Sequence, residues 1–238
     1  LTAGADVLVL REMCGGAFFS LPRGLERPAG GGARGFDTTS YTSEEIARFA
    51  RAGFELARRR RGKLASVDKA NVMVSGVLWR EVVGEVAGDY PDVALTHFYA
   101  DHAAYQLVRD PRAFDVILAD NLFGDILSDQ AGAIAGSLGL LPSACLPGLP
   151  EPGGRISGIY EPVHGSAPDI AGRGIANPLG MLLSVAMMFD YSFARPDAAR
   201  RIEAAVNGAL EAGHRTPDLG GTATSEAVTD AVIAALEP

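Results

Sequence analysis

The stretch "DNLFGDILSD", residues 120–129, places Asp125 and Asp129 four residues apart. On a helix, residues at this spacing lie on the same face, and two like charges there are destabilising. A helix N-terminus offsets part of that repulsion, and a divalent cation offsets more. Mg²⁺ and Mn²⁺ prefer carboxylate oxygens. The pair therefore indicates a metal site, with two solvated aspartates at the start of a helix as the alternative.

A lysine that could carry a proton lies in "SVDKANV", residues 66–72, where Lys69 follows an apolar run. A lysine close to carboxylates and shielded from water can exchange protons with a substrate. The alternative is a surface lysine in a turn.

The segment "EPVHGSAPDIAG" has the features of a phosphate-binding loop. Gly165 and Ser166 precede Pro168, and backbone N–H groups at such a turn can hold a phosphate. The segment contains no G-x-G-x-x-G, so the usual dinucleotide fingerprint is absent. His164 on its own is also compatible with a hydrogen-bonded loop residue.

The elements that must position these residues alternate between strands and helices. Residues 6–12, "KLASVD", "VALTHFYAD" and "FDVILAD" are typical of strands, the last buried on both faces. Helices are predicted between them, including one over "LFGDILSDQAGAIAGSLGLL", with Leu122, Phe123, Ile126 and Leu127 in the core. The recurring strand–helix order predicts the α/β class.

Two segments are predicted to be irregular. Residues 13–42 are rich in Gly and Pro and predict a projecting, hairpin-like arm, followed by a helix that Thr42 and Glu45 begin with a capping box. Residues 142–178 predict long loops, which in compact domains are usually functional. Helices are then predicted from Leu179 to Phe193, from Asp197 to Ala212 and near the C-terminus.

The composition excludes several classes of protein. The formal net charge is −8, which disfavours non-specific binding to nucleic acid. No apolar run is long enough for a membrane helix, and two distant cysteines imply no disulfide framework. We therefore expect a cytoplasmic protein. Because the first residue is Leu1 and not Met, a longer precursor or a larger polypeptide is also expected.

Five motifs occur in one order: "RE…GG…PRG", "SVDKANV", "NLFGDILSD", "GSLGLLPSA" and "YEPVHGSAPDIAGRGIANP". This set resembles the 3-isopropylmalate dehydrogenase branch of the isocitrate/isopropylmalate dehydrogenase family, over nearly the whole chain. The resemblance implies NAD-dependent oxidation and decarboxylation of a malate-type 2-hydroxy acid. It also implies a two-lobed α/β fold with a β arm for dimerisation and with the N-terminal part of the cofactor domain missing.

The resemblance also implies roles for individual residues. Arg11 matches the arginine that grips the substrate carboxylate, and Lys69 the lysine that deprotonates the hydroxyl, with Asp101 beside it in the catalytic set. The implied ligands of Mg²⁺ or Mn²⁺ are Asp101, Asp125 and Asp129. In this family Lys69 and Asp101 reach the site of the partner subunit, so a homodimer with shared active sites is expected.

The NAD loop is implied in the same way, and its matching residues are Glu161, His164, Gly165, Ser166, Ala167, Asp169, Ile170 and Asn177. A carboxylate at Asp169 can accept a hydrogen bond from the ribose 2′-hydroxyl and would repel a 2′-phosphate. Relatives that use NADP carry Lys and Tyr where this chain has Asp169 and Ile170. Residues 1–135 are thus expected to form a substrate, metal and dimerisation domain, and residues 136–238 the C-terminal part of an NAD-binding domain.

Two departures from the family pattern leave alternatives open. Phe18 stands where the family has a catalytic tyrosine, so the hydroxyl that protonates the enol is missing. Relatives also carry a long stretch before the segment that matches Leu1. The first interpretation is an isopropylmalate-type dehydrogenase. The alternatives are a catalytically impaired remnant that retains the dimer arm, or a relative acting on tartrate or homoisocitrate.

Overall fold

A computed structural model describes residues 3–236. The chain forms two compact units, Leu1–Ala131 and Gly132–Pro238. The functional assignment of the ranges 1–135 and 136–238 stays a prediction, and residues 1–2 and 237–238 lie outside the described part. Among residues 3–236, no helix combines the length and the apolar character needed to cross a membrane.

A four-stranded parallel sheet organises the first unit. Its strands are β1 (Leu8–Arg11), β4 (Lys63–Asp68), β5 (Ala94–Tyr99) and β6 (Val116–Ala119). They lie side by side in the order β1–β6–β4–β5. Its helices are α1 (Ser43–Arg58), α2 (Val74–Ala87), α3 (Ala100–Arg109) and the first part of α4 (Asn121–Ala135). All four residues of β6 are fully buried, as the continuous apolar run predicts for a central parallel strand. The α/β class is confirmed.

The core of this unit lies between the sheet and helices α1 and α2. Ile46 and Phe54 of α1 and Val83 of α2 have no exposed surface and pack with Leu118 of β6. The Trp79 indole N–H donates to Ser66 Oγ at 3.2 Å, so the largest buried side chain also has its polar atom satisfied. This packing fixes the strand ends that carry the candidate site residues.

The predicted arm and capping box are both present. Strands β2 (Gly24–Glu26) and β3 (Arg34–Phe36) pair antiparallel, and almost the whole hairpin is exposed. Thr42 accepts a hydrogen bond from the Glu45 N–H at 3.2 Å, while Glu45 accepts one from the Thr42 N–H at 2.8 Å. Helix α1 therefore starts where the sequence predicts.

The second unit is built around three helices, α5 (Leu179–Tyr191), α6 (Pro196–Glu211) and α7 (Ser225–Leu236). Their contact faces form a small apolar core that includes Leu179, Val206 and Val228. Strands β7 (Pro142–Cys145) and β8 (Ile159–Pro162) pair antiparallel in this unit. Both strands lie in segments predicted to be loops, because strands of only four residues have little periodic signal.

Three local predictions are wrong. Strand β5 ends at Tyr99, and Asp101 lies in the first turn of α3, where an acidic residue is favoured by the helix dipole. Helix α4 ends at Ala135 instead of Leu141, because Gly136 adopts a left-handed φ of 108° and Ser137 begins a 3₁₀ turn. Ile126, predicted to be in the core, is 55% exposed.

Candidate active site

The carboxyl edge of the parallel sheet carries four of the predicted site residues. Arg11 is the last residue of β1, Lys69 follows β4, and α4 with Asp125 follows β6. Asp101 is the second residue of α3, which starts directly after β5. Because all four strands are parallel, these segments lie along one edge, where α/β sheets bind ligands. Strands are spaced about 4.8 Å apart, so the ends of β1 and β4 are separated by about 10 Å.

Arg11 is held against the start of α4. Its guanidinium forms an ion pair with Asp125, and its Nε donates to Asn121 Oδ1 at 2.9 Å. A Cβ on Gly124 would lie 2.8 Å from Cβ and Cγ of Arg11, so only glycine allows this approach of helix and strand. The arginine predicted to grip a carboxylate is thus fixed in place and partly exposed.

Asn121 joins three segments at this point. Its side-chain amide donates to the Gly15 carbonyl at 3.0 Å, and its backbone N–H donates to Tyr41 Oη at 3.0 Å. A Cβ on Gly16, which has φ of 73°, would lie 2.1 Å from Tyr41 Oη. The Gly-Gly pair therefore packs on a buried tyrosine, and this packing sets the 3₁₀ turn that ends at Phe18.

Asp125 and Asp129 project from the first turns of α4, and both side chains reach solvent to some extent. Within residues 3–236, no three acidic, His or Cys side chains group closely enough to hold a metal by themselves. Mg²⁺ is commonly bound by one or two carboxylates together with water and substrate. Two carboxylates on one helical face fit that donor set, and the role of Asp101 as a third ligand stays a prediction.

Lys69 and Asp101 form a second pair on the same sheet edge. The Lys69 ammonium forms an ion pair with Asp101, and hydrogen bonding to Lys69 holds the pKa of Asp101 below its usual range. In the part of the chain that the structure describes, no hydrogen bond or ion pair joins this pair to Arg11 or Asp125. The predicted base and the predicted substrate arginine therefore form separate groups within one chain.

A buried acid lies between these two pairs. Asp120 is 8% exposed, and burial raises its pKa to about 6, with a further contribution from the charge of Glu12. Its Oδ1 accepts a hydrogen bond from the Phe123 N–H at 2.8 Å, which caps α4. Asp120, Tyr41 and Lys69 line one cavity of about 10 Å³, room for about one water molecule.

The predicted NAD loop lies in the second unit and follows β8. Glu161 is in the strand, and both Ser143 Oγ and Ser184 Oγ donate to its carbonyl, at 2.8 and 3.0 Å. Gly165, Ser166, Ala167 and Asp169 are exposed, and His164 and Ile170 are half-buried. Ala167 has φ of 42°, an unfavourable conformation for a residue with a Cβ, and such strain concentrates at functional sites.

Asn177 lies at the end of this loop, and both polar atoms of its side chain form hydrogen bonds within the chain. Its Nδ2 donates to Asp218 Oδ2 at 3.0 Å, and its Oδ1 accepts from the Leu179 N–H at 3.0 Å, which starts α5. Its side chain therefore stabilises the loop, and its predicted contact with NAD stays a prediction.

The roles of Asn121 and Asp120, and the contacts of Asp68 with Arg80, were not predicted from the sequence. Asn121 and Asp120 lie in the motif "DNLFGDILSD". The role of Asn121, however, depends on its hydrogen bonds with Tyr41 and Gly15, which are 80 and 106 positions earlier in the chain. Arg80 binds Asp68 from twelve residues further along the chain. The position of Asp68 directly before Lys69 was the one available signal.

The family model described as "Isocitrate/isopropylmalate dehydrogenase" matches residues 1–235. The 3-isopropylmalate dehydrogenase of Xanthomonas oryzae pv. oryzae (strain MAFF 311018) is 55% identical over 240 residues, which cover 99% of this chain and 66% of the relative. That of Caulobacter vibrioides is 53% identical over 239 residues, with the same coverage. The chain thus spans 66% of the length of these relatives.

Solved structures agree with these sequence matches. Isocitrate dehydrogenase from Methylococcus capsulatus has a TM-score of 0.87 and 35% identity, covering 97% of this chain and 67% of that one. The TT0538 protein from Thermus thermophilus has a TM-score of 0.86 and 33% identity, covering 99% of this chain and 47% of that one. The resemblance inferred from the motifs is confirmed, and the chain belongs to the isocitrate/isopropylmalate dehydrogenase family.

Proposed function

We propose that the protein containing this chain catalyses the NAD-dependent oxidative decarboxylation of 3-isopropylmalate, the reaction of leucine biosynthesis, in the cytoplasm. The observation that carries the proposal is the arrangement of Arg11–Asp125 and Lys69–Asp101 along one carboxyl edge of the sheet. The identity to enzymes named 3-isopropylmalate dehydrogenase supports this substrate. Two free, exposed cysteines are compatible with a reducing compartment.

Substrate binding would use Arg11. Its planar guanidinium suits a carboxylate, and its contacts with Asn121 and Asp125 restrict its orientation before substrate arrives. Preorganisation of this kind reduces the entropy lost on binding. We therefore assign Arg11 to the substrate carboxylate.

The chemistry needs a base for the hydroxyl proton and an acid for the enol carbon. Lys69 would remove the proton from the substrate hydroxyl while a hydride leaves the carbon that bears this hydroxyl for NAD. The carboxyl group on the neighbouring carbon, β to the new ketone, then departs as carbon dioxide, and the electrons of the broken C–C bond form the enolate. Asp125 and Asp129 would hold Mg²⁺ or Mn²⁺, with Asp101 from a second subunit, and that ion would polarise the substrate oxygen as a Lewis acid. A final proton must reach the enol carbon, and Phe18 cannot supply it.

NAD selectivity would depend on the loop after β8. The exposed carboxylate of Asp169 can accept hydrogen bonds from a ribose and repels an additional phosphate. The exposed backbone at Gly165 and Ser166 suits a pyrophosphate. These features favour NAD over NADP.

A homodimer with shared sites is part of the proposal. Lys69 and Asp101 have no described contact with Arg11 or Asp125 in one chain, so a complete site can be formed between two chains. The first unit also exposes large apolar side chains, which are typical of interaction surfaces: Leu21, Leu25, Val72, Val74, Tyr105, Val108 and Ile126.

Mixing Lys69→Met and Arg11→Met subunits should restore activity that neither variant has alone, because a mixed dimer retains one intact site. Two inactive variants that stay inactive when mixed would contradict shared sites.

A catalytically impaired family member is the second candidate, and Phe18 is the observation that favours it. The two candidates differ in NADH formation by the complete gene product with Mn²⁺ and NAD. The first predicts turnover with 3-isopropylmalate well above that with tartrate or homoisocitrate. Faster turnover with either of the latter would reassign the substrate, and no turnover with any of the three would favour the impaired protein.

A further inference from the structure

We propose that Arg80 and Tyr99 are positioning residues for the Lys69 ammonium, with Asp68 as the group through which Arg80 acts. The inference rests on the proposed function, because it concerns the lysine assigned as the base. Three groups lie around Lys69, which is one of two lysines in the sequence. They are the buried carboxylate of Asp68, the guanidinium of Arg80 and the aromatic ring of Tyr99.

Asp68 fixes the turn that carries Lys69. It is the last residue of β4, its side chain is fully buried, and its Oδ1 accepts a hydrogen bond from the Ala70 N–H at 2.9 Å. A carboxylate taken out of water needs a well-placed cation, because desolvation is otherwise costly. The geometry of the turn that carries Lys69 therefore depends on the cation that pairs with Asp68.

Arg80 on α2 is that partner. Its Nε donates to Asp68 Oδ2 at 2.9 Å and its Nη2 to Asp68 Oδ1 at 3.0 Å, a bidentate arrangement that lysine cannot reproduce. His97 Nδ1 is 3.9 Å from Asp68 Oδ2 and makes no hydrogen bond. Arg80 is thus the cation that sets the orientation of the Asp68 carboxylate.

Tyr99 connects the two cations directly. The Arg80 Cζ lies 4.8 Å from the centroid of the Tyr99 ring, and the Lys69 Nζ lies 6.0 Å from it. Both distances fall within the range of cation–π attraction. One ring therefore contacts Arg80 and forms a wall beside Lys69, while Asp101 binds the ammonium itself.

Helix α2 also packs on the Lys69 turn through its backbone. A Cβ on Gly76 would lie 2.8 Å from the Ala70 nitrogen and 2.9 Å from the Lys69 carbonyl carbon. The first turn of α2 is therefore in direct contact with the turn, and Arg80 lies one helical turn further along. The helix that carries Arg80 therefore packs directly on the turn that carries Lys69.

The chain offers a matched control for Arg80. Arg58 is also bidentate, with Nε and Nη2 both 2.6 Å from the Asp92 carboxylate, and its Cζ lies 4.7 Å from the Tyr90 ring centroid. In the described residues it makes no contact with Lys69. Arg58 variants therefore report the cost of losing such an arrangement without affecting the proposed base.

The kinetic test compares Arg80→Lys and Tyr99→Leu with Arg58→Lys in the complete gene product. We expect kcat to fall about tenfold for the first two, because misplacing a catalytic group lowers the rate of the chemical step. The KM for the hydroxy acid should stay unchanged, because Arg11 is untouched. Tyr99 is 38% exposed, so Tyr99→Leu tests the proposal without leaving a buried carboxylate unpaired.

A labelling test does not require activity. Limiting acetylation followed by mass spectrometry gives the ratio of modification at Lys69 to that at Lys63, which is exposed and acts as the internal reference. We expect this ratio to rise about threefold in Arg80→Gln and Tyr99→Leu, because the local structure around Lys69 opens, and to stay constant in Arg58→Gln.

The labelling ratio decides the inference. An unchanged ratio in Tyr99→Leu, or in a folded Arg80→Gln, overturns it whatever the kinetics show. If the parent protein without substitutions forms no NADH while the ratio of Lys69 to Lys63 acetylation rises in the variants as expected, the proposed function fails and the positioning role stands. If the unmodified protein is active and the ratio does not change, the proposed function stands and the positioning role fails.

Discussion

The guanidinium of Arg11 lies over the ring of Phe18, with 5.5 Å between Arg11 Cζ and the ring centroid. The same guanidinium forms the ion pair with Asp125. Phe18 is therefore adjacent to the residue proposed to hold the substrate carboxylate. Its position supports the match between Phe18 and the family's tyrosine that the motif "GGAFFS" suggests.

We predict that Phe18→Tyr raises turnover at least about tenfold, the lower part of the range for a positioned general acid. The substitution adds a hydroxyl to a ring that is already in place beside Arg11, so it requires little repacking. The measurement is NADH formation by the complete gene product with 3-isopropylmalate and Mn²⁺.

Phe19→Tyr is the matched control, because Phe19 is adjacent in sequence and 58% exposed. It should leave turnover unchanged. If Phe18→Tyr gives no gain and the parent is already fast, another group supplies the proton, and Tyr41 or a water is the first candidate. If both proteins are inactive, the impaired-remnant interpretation is favoured.

Gly124→Ala should lower kcat/KM at least about tenfold, because displacing a binding group by a fraction of an ångström weakens its alignment. The added Cβ would lie 2.8 Å from Arg11 Cβ and Cγ, so Arg11 or α4 must move. Gly84→Ala is the control. Its Cβ meets nothing within 4 Å, so it should leave kinetics unchanged and stabilise α2 by about 0.5–1 kcal/mol. If Gly124→Ala and Gly84→Ala have the same kcat/KM, the position of Arg11 does not depend on the close contact between α4 and β1.

Mn²⁺ affinity should depend on Asp125 and Asp129. Both carboxylates project from one face of α4, and losing either removes a hard oxygen ligand. We expect Asp125→Ala and Asp129→Ala each to weaken Mn²⁺ binding in isothermal titration calorimetry. Asp110→Ala, which removes an exposed carboxylate paired with Arg112, should not. The same affinity in all four proteins would remove Asp125 and Asp129 from the metal site.

Asp120→Asn should stabilise the protein at neutral pH. Burial raises the pKa of Asp120 from 3.8 to about 6, so between these values the folded protein retains a proton that the unfolded chain has lost. Stability therefore falls as the pH rises through this window, by about 1–3 kcal/mol. Asn keeps the cap on the Phe123 N–H, so the free energy of unfolding of the variant should exceed that of the parent at pH 8 and approach it at pH 4.

Asp115→Asn should change the free energy of unfolding in the opposite direction. Burial opposes ionisation of Asp115, but hydrogen bonds from the Arg60 side chain and from the N–H groups of Arg61 and Lys63 outweigh it and lower the pKa. This variant should lose stability at pH 8. Urea unfolding at the two pH values measures both variants, and a parallel response of Asp120→Asn and Asp115→Asn would contradict the assigned environments.

Much of the site was predictable because its residues follow strands with a strong local signal. Lys69 and the start of α4 could be placed at a sheet edge from the apolar runs "KLASVD" and "FDVILAD" alone. The capping box at Thr42 and Glu45 is likewise encoded within four residues. The features with these strong local signals were therefore predicted well, whereas the ends of β5 and α4 were not.

Other features depend on contacts between distant segments. The buried position of Asn121 follows from Gly15 and Tyr41, and the raised pKa of Asp120 follows from burial that no local pattern reveals. Ile126 fits an apolar helical face, yet it is exposed. A single sequence identifies an apolar face without showing whether the same chain covers it.

The most direct test of the central claim is simultaneous measurement of NADH and carbon dioxide from 3-isopropylmalate, with NAD and Mn²⁺, in the complete gene product and in Lys69→Met. The proposal predicts that the two products form in equal amounts and that Lys69→Met abolishes both while remaining folded. NADH without carbon dioxide, or a Lys69→Met variant as fast as its parent, would contradict it.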